Sequence, residues 1–363
     1  MDAPTDKKLS VKVRHRLGRI ELSADFEVNG GITALIGPSG AGKTSVLHTI
    51  AGLLISDSDS IATESRVLLD TERSINLQPE ERRVGMLFQD GALFPHMSVA
   101  RNVAYGLHPR PRSHRERDAR VADLLKRFRI EGLASAKPSR ISGGERQRVA
   151  LARAVATSPE ILLLDEPLSA LDSVTKGHVS AELSQWLEEL GLPSILVSHD
   201  FADVVGLADH VAIIEDGHLV QTGSKNDVLR RPASAFAAAF AGINFFPGTA
   251  EARGHHTEVR SPDGVVMVST DTLTGSVGAV IHPWDVSLSL HKPESSAMNL
   301  LHGPVLQLSE VGSIVRVTVG STPPIVAEIT AESVERLSLA LNRMVYASWK
   351  AAATRLVAQD GMV

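Results

Sequence analysis

The chain contains no cysteine, which excludes disulfides, thiolate metal sites and a cysteine nucleophile together and fits a reducing compartment. Positive charge is not in excess. A formal net charge of -5 argues against a nucleic-acid protein that works by bulk positive charge. Aromatic residues make up only 4%, and no aromatic stacking pattern accompanies the arginines of the basic stretch from Pro109 to Ile130. That stretch, with Glu and Asp interspersed, reads as a solvated helix with Val121, Leu124, Leu125 and Phe128 on its inner face, so no nucleic-acid partner is expected. No apolar run approaches the roughly 18 to 20 residues of a membrane helix, so any membrane role must use partner chains. Met1 to Lys8 is polar and precedes charged strand-like sequence, so no signal peptide is expected. What remains is 43% hydrophobic and 22% charged residues, a soluble globular composition, over 363 residues, a length that implies two domains and room for a smaller third unit.

The most informative stretch is Gly37-Pro38-Ser39-Gly40-Ala41-Gly42-Lys43-Thr44, with the G-x-x-x-x-G-K-T spacing of a phosphate-binding loop. Before it, Ile32, Ala34, Leu35 and Ile36 suit a buried strand; after it, Val46, Leu47, Ile50 and Leu54 recur at helical spacing. The glycines let successive backbone N–H groups turn toward an anion, and a helix beginning near Lys43 adds the positive end of its dipole. Lys43 is then expected to reach the β- and γ-phosphates of a nucleotide, with the Thr44 hydroxyl on Mg²⁺. The nucleotide contacts are expected at Gly37, Pro38, Ser39, Gly40, Ala41, Gly42, Lys43, Thr44 and Ser45.

Loose alternation from Leu9 to Val28 predicts an antiparallel hairpin, residues 55 to 82 read as polar and turn-rich, and Val84 to Phe88 form a short strand ending at Gln89. Ser142 opens a helix with Val149, Ala152 and Val155 inward; Ile161 to Leu164 is a fully apolar strand leading to Asp165-Glu166. A helix with Val179, Leu183, Trp186, Leu187 and Leu190 on one face follows, stopping at Gly191, and the strand Ile195 to Val197 ends in Ser198-His199-Asp200. Apolar strands alternating with helices predict a parallel sheet covered on both faces, closed by a hairpin around Asp216-Gly217. After an Ala/Phe-rich helix near 233 to 242, short strands at Val265–Val268, Val277–Ile281, Val286–Leu290, Val305–Leu308, Ile314–Val319 and Val345–Trp349, with one helix at 332 to 341, read as a small all-β barrel. The pair His255-His256 has no third residue at metal-ligand spacing and reads as surface.

Asp165 caps an apolar strand, so its carboxylate emerges at the carboxyl edge of the sheet, where it can hold the hydration shell of Mg²⁺, and Glu166 stands next to it to orient or deprotonate a water. At this point the chain resembles the ATP-binding cassette (ABC) ATPase family over about residues 9 to 230. The motifs agree in order: Gly37–Thr44, Gln89 in LFQDGALFPHMSV, Ser142-Gly143-Gly144-Glu145-Arg146-Gln147, Asp165-Glu166, Ser169-Ala170-Leu171-Asp172 and His199. The resemblance implies an α/β P-loop fold with a parallel sheet core, an antiparallel β subdomain and a helical subdomain at about 90 to 158. It implies ATP and Mg²⁺, with Glu166, His199, Gln89 and Lys43 as catalytic residues, His199 sensing the γ-phosphate, and Thr44, Gln89 and Asp165 at the metal. Ser142, Gly143, Gly144 and Asp172 join the nucleotide contacts, the Ser142 loop across a head-to-tail homodimer holding two ATPs. It also implies two integral-membrane permease subunits docking near Leu93, Phe94 and Met97, an external substrate-binding protein reaching the cassette through the permease, and a peripheral place on the cytoplasmic face of the inner membrane. The aromatic residue that the family stacks on adenine is missing, and Val13-Arg14-His15-Arg16 stands there instead, leaving Arg14 or His15 to stack.

Ser296-Ala297-Met298-Asn299 and Tyr346-Ala347-Ser348-Trp349-Lys350-Ala351 resemble the motifs of the small molybdate-binding β-barrel behind molybdate importer ATPases, with Met298 where an Arg is usual. This similarity implies an OB-like barrel at 291 to 363 after a linker helix and β segment at 231 to 290, binding molybdate through Ser296, Met298, Lys350 and Ala351. Ser296 supplies a hydroxyl, Lys350 a compact charge and nearby N–H groups a nest, as a tetrahedral dianion needs. A barrel that serves dimerisation alone, import of tungstate, sulfate or another small solute, a soluble ABC ATPase and an oxyanion-binding regulator all stay open.

Overall fold

In a computed structural model, which describes residues 8–17, 20–54, 58–107, 113–169, 171 and 173–359, three short runs are buried at every position: Ile32–Ile36, Ile161–Asp165 and Ser194–Val197. Strands buried on both faces need helices on both sides of a parallel sheet, and the chain supplies them. Its elements to Lys225 run β1 (Lys8–Leu17), β2 (Ile20–Asn29), β3 (Ile32–Ile36), α1 (Lys43–Ala51), β4 (Ser58–Thr63), β5 (Val67–Asp70), β6 (Ile75–Asn76) and β7 (Val84–Leu87). They continue with α2 (Val99–Tyr105), α3 (His114–Arg127), α4 (Gly143–Val155), β8 (Ile161–Asp165), α5 (Ser173–Leu190), β9 (Ser194–Val197), α6 (Phe201–Leu207), β10 (His210–Glu215) and β11 (His218–Ser224). Among the described residues these strands form one sheet in the order β6-β5-β4-β1-β2-β11-β10-β3-β9-β8-β7. Its parallel part is β10-β3-β9-β8-β7.

The period of the strands divides the core. Ile161 and Leu163 of β8, with Ile195 and Val197 of β9, join Val46, Leu47 and Ile50 of α1 and the inner face of β1 and β2 in one cluster. Leu162, Leu164 and Leu196 join Val149 and Val155 of α4 and Leu183 and Trp186 of α5 in the other. Phe128 meets Trp186 edge-on with ring centroids 4.9 Å apart, which attaches the end of α3 to α5. The predicted inner faces of α3, α4 and α5 are therefore the buried ones, and the Asp216-Gly217 turn, with φ of 48° and 84°, is the left-handed pair that a tight hairpin requires. Residues 58 to 76 depart from the turn-rich reading. They form β4, β5 and β6, extending the antiparallel part of the sheet with Ile61, Leu68 and Leu69 as buried anchors too sparse to alternate visibly.

The far end of α1 is held by Arg82, which is only 1% exposed. Its guanidinium donates to the carbonyls of Thr49 (2.6 Å) and Ile50 (2.9 Å), to Leu77 O (2.8 Å) and to Asn76 Oδ1 (2.8 Å). Burial lowers its pKa against the opposing pull of Asp59, and a cation at the negative end of a helix satisfies the last carbonyls of α1.

The chain divides at Lys225 into two units, Met1–Lys225 and Asn226–Val363. After α7 (Lys225–Arg230), the second contains α8 (Ala235–Ala241), β12 (Asn244–Arg253), β13 (His256–Arg260), β14 (Val266–Ser269), β15 (Gly275–Ile281), β16 (Ser287–Ser289), β17 (Asn299–Val311), β18 (Ile314–Val319), β19 (Ile325–Thr330), α9 (Ala331–Arg336), β20 (Met344–Trp349) and β21 (Arg355–Ala358). Two antiparallel sheets, β14-β13-β12-β15-β21 and β16-β20-β17-β18-β19, enclose one core that includes Phe246, Val259, Val277, Val317, Val345 and Trp349. Residues 231 to 290 are thus no linker ahead of a separate barrel. The last strand, β21, pairs with β15, so both segments complete the same sheet.

Candidate functional site

The site begins where β3 ends. A Cβ on Gly37 would lie 2.0 Å from the carbonyl oxygen of Ile214, and Gly42 adopts φ of 100° beside Leu22, so glycine alone lets the loop turn there. Lys43, 9% exposed, folds its ammonium back onto the loop and donates to the carbonyls of Gly37 and Pro38, both at 2.8 Å. Burial lowers its pKa, while Glu166 and Asp165 pull the other way. A charge held by its own loop rather than by a carboxylate can swing to a phosphate without breaking an ion pair.

Asp165 ends β8 at 7% exposure, with Thr44 Oγ1 at 3.5 Å from its Oδ1. Its pKa is raised, first by burial and then by the neighbouring Glu166. A buried carboxylate beside a hydroxyl is a hard-oxygen pair suited to a cation such as Mg²⁺. Among the described residues no group of three or more His, Asp or Glu holds a metal alone.

Glu166 is the pivot. Its backbone takes φ of 46°, a left-handed conformation that costs a non-glycine residue about 1 kcal/mol or more. In that conformation its N–H donates to Val197 O (3.0 Å) and its carbonyl accepts from the Ser169 hydroxyl (2.9 Å). The carboxylate is gripped from two sides, by Gln89 Nε2 at 3.0 Å from Oε2 and His199 Nδ1 at 3.2 Å from Oε1. Glu166, His199, Val197 and the loop residues Gly37, Ser39, Gly40, Gly42, Lys43, Thr44 and Ser45 line one cleft of about 360 Å³. Gln89 bonds to Glu166, since its strand β7 neighbours β8 and carries it to the position beyond Leu164.

Ser142, Gly143 and Gly144 do not join that cleft. Ser142 caps α4, accepting from Glu145 N (3.3 Å) while Glu145 accepts from Ser142 N (2.7 Å), bonds that also lower the Glu145 pKa. Gly143 lines a smaller cavity of about 200 Å³ with Gln89, Gln147, Pro167 and Leu171. Gln147 donates to the Pro167 carbonyl, tying α4 to the loop after Glu166. Ala170 and Asp172 lie outside the described residues. His15 pairs with Leu22 in the β1–β2 register, and Leu22 packs on Gly42, so His15 rather than Arg14 shares the face nearest the loop.

Two residues not singled out in the sequence hold the segment after Gln89. Asn102, fully buried, accepts from Phe94 N (2.8 Å) and donates to Phe94 O (3.2 Å) and Ser98 O (3.1 Å). Arg153 donates to Gly91 O (2.7 Å) and Ala92 O (2.8 Å) and lies 5.4 Å over the Phe94 ring, which itself packs against Tyr105. Their signal was a polar side chain in the apolar phase of a helix, Asn102 between Val99 and Val103 and Arg153 between Ala152 and Ala154.

In the second unit, Asn299 pairs with Trp349, so Met298 and Lys350 leave the same end of the β17–β20 ladder. Ser296 and Lys350 are exposed, Met298 is 56% exposed and Ala351 is buried. Beneath them Asn299 grips both backbone groups of Val268 (2.7 and 3.0 Å), and Trp349 Nε1 donates to Thr354 Oγ1 (2.9 Å). His256 lies 3.8 Å from Glu258, and His255 is exposed.

Comparison with known proteins gives two family matches, ABC transporter over residues 22–169 and TOBE domain over residues 295–356. The molybdenum import ATP-binding protein ModC of Mycobacterium tuberculosis is 38% identical over 343 residues, covering 91% of this chain and 92% of the relative. ModC of Rhizobium etli is 37% identical over 355 residues, covering 95% and 99%. The molybdate/tungstate import ATP-binding protein WtpC of Pyrococcus abyssi is 37% identical over 326 residues, covering 89% and 91%.

The raised pKa of Asp165 yields a prediction for the protein without nucleotide or Mg²⁺. Below the unfolded value near 3.8 the carboxyl is protonated in both states and costs nothing; as pH rises past the raised folded value the buried charge destabilises the fold. Asp165→Asn should therefore raise the thermal midpoint at pH 7 to 8, with the gain shrinking toward pH 4. An equal or lower midpoint at neutral pH would contradict this.

Proposed function

This chain belongs to the family of ABC-type import ATP-binding proteins, and we propose that its ATP hydrolysis powers uptake of molybdate through separate membrane subunits. The ATPase reading is carried by the convergence of the phosphate loop, Glu166 and His199 on one cleft, with Asp165 against Thr44 at its wall. The cargo reading is carried by relatives with molybdenum names that align over at least 91% of their own length, a span that includes the C-terminal unit. Tungstate, which the name of the Pyrococcus relative also includes, is the second reading.

As an import ATP-binding subunit the chain works with membrane permeases, and among the described residues no helix is long and apolar enough to cross a membrane itself. We place it as a homodimer on two permease subunits, at the cytoplasmic face of the membrane, supplied by an external substrate-binding protein. The segment Leu93 to Met97, fixed by Arg153 and Asn102, is the permease-facing surface.

The loop N–H groups from Gly37 to Ser45 receive the phosphates of ATP, and Lys43 moves from its own carbonyls to the β- and γ-phosphates. Thr44 and Asp165 would hold Mg²⁺, which offsets the phosphate charge. Glu166 accepts the proton of the attacking water, Gln89 and His199 orient its carboxylate, and His199 is within reach of the γ-phosphate side of the cleft. Ser142, Gly143 and Gly144, with Asp172, act on the nucleotide of a second copy, whose γ-phosphate meets the start of α4. In the C-terminal unit, Ser296, Met298, Lys350 and Ala351 take a tetrahedral oxyanion.

Glu166→Gln should lower steady-state hydrolysis by about 10² to 10⁴ while ATP binding survives. Turnover within a few-fold of wild type would remove Glu166 from the mechanism. Calorimetric titration of the full chain should give heat with molybdate and tungstate and far less with sulfate, because donors set for a larger anion are left partly unpaired by a smaller one. Lys350→Ala should weaken molybdate binding about tenfold or more, about 1.4 kcal/mol. Absence of heat at millimolar molybdate, or undiminished binding by Lys350→Ala, would leave the C-terminal unit without an oxyanion role.

A further inference from the structure

The turn that presents His199 is held on both sides by one charged cluster. Ser198, 2% exposed, donates to Asp203 Oδ2 (2.8 Å) and accepts from Asp200 N (3.1 Å). Asp200 caps α6 by accepting from Ala202 N (2.7 Å). Both carboxylates converge on a single ammonium from another helix: Lys176 Nζ lies 2.5 Å from Asp200 Oδ2 and 2.9 Å from Asp203 Oδ1. Asp203 is 4% exposed, and the Lys176 side chain is 18% exposed.

Lys176 stands in the first turns of α5, where the helix dipole disfavours a cation. Burial by itself would lower its pKa, yet hydrogen bonds to Asp200 and Asp203 hold it above the ordinary lysine value. A largely buried charge cluster is a poor source of stability, because desolvation offsets its attraction and apolar side chains of similar size serve as well. What such a cluster does supply is direction. The residues on either side of His199 are fixed relative to α5, while the imidazole, 65% exposed, projects to Glu166.

We propose that Lys176 is a positioning residue for ATP hydrolysis: by bridging Asp200 and Asp203 it sets the Ser198–Asp200 turn so that His199 Nδ1 stays within hydrogen-bond reach of Glu166. The inference rests on the role proposed above for His199. It makes the placement of His199 depend on α5, the helix that follows Ser169, whose hydroxyl bonds to the Glu166 carbonyl. The Glu166 backbone and the His199 side of its grip are thereby referred to neighbouring parts of the chain.

The test compares Lys176→Met, Lys176→Arg and Asp200→Asn in wild-type and His199→Ala backgrounds, reading ATP affinity, kcat and the single-turnover rate of the full-length protein. Asp200→Asn keeps the helix cap while weakening the pair, so it carries the comparison if Lys176→Met does not fold. Lys176→Met should lower kcat about tenfold to a hundredfold, with ATP affinity changed by less than about threefold, and Lys176→Arg should restore most of the rate. In the His199→Ala background Lys176→Met should cost nothing further, since a residue acting through His199 has nothing left to position. Unchanged kcat in Lys176→Met, or the same fractional loss with and without His199, overturns the inference while leaving the ATPase reading intact. If His199→Ala alone hydrolyses ATP normally, the role of His199 fails, and this inference with it.

Discussion

The site depends on parallel register at Val197. On one side this residue pairs with Leu35 and on the other with Asp165, so the ends of β3, β9 and β8 are level at the carboxyl edge of the sheet. That alignment brings the phosphate loop, the Ser198–Asp200 turn and the Asp165-Glu166 pair together without any of them touching in sequence. Side chains alternate across a strand, so a slip of one residue in β8 would send Asp165 to the opposite face and exchange the apolar positions of both layers. Both cores depend on that register, since every residue of β8 is buried, with Ile161 and Leu163 in one core and Leu162 and Leu164 in the other.

Electrostatics then divides the labour within the cleft. Asp165 is buried and its ionised form disfavoured, Lys43 is held by its own carbonyls, and the Glu166 carboxylate is held by Gln89 and His199. The start of α4, closed by the reciprocal Ser142 and Glu145 cap, lines a different cavity. On the reading proposed above, the phosphate loop and the start of α4 are complementary halves of a nucleotide site that two copies complete.

Much of this was legible because the motifs combine special backbone needs with long apolar runs. Gly37 and Gly42 are glycines for reasons of space and dihedral angle, and Ile161 to Leu164 admits hardly any other reading than a buried strand. The less legible parts are those in which local sequence is weak and distant partners decide. β4, β5 and β6 are short and half polar, and β12 and β21 pair with β15 across long stretches of chain, so their existence depends on neighbours that sequence order does not reveal. The bond of Gln89 to Glu166 follows from β7 lying beside β8, a three-dimensional fact that the motif does not carry. Arg82, Arg153 and Lys176 look like surface charges in sequence. They are instead buried or half-buried links, because each finds carbonyls or carboxylates supplied by another element.

The claim that the nucleotide site is shared between two copies is tested most directly by mixing Lys43→Ala chains with Gly143→Asp chains and measuring ATP hydrolysis across mixing ratios. Each variant alone should be inactive, the first for want of the phosphate-binding ammonium and the second because a carboxylate faces the phosphate of the opposite copy. A mixed dimer retains one intact loop facing one intact Ser142-Gly143 helix start, so hydrolysis should return and peak near equal proportions. If no ratio gives more activity than the separate variants, although mixed dimers form, the site is not composed in this way.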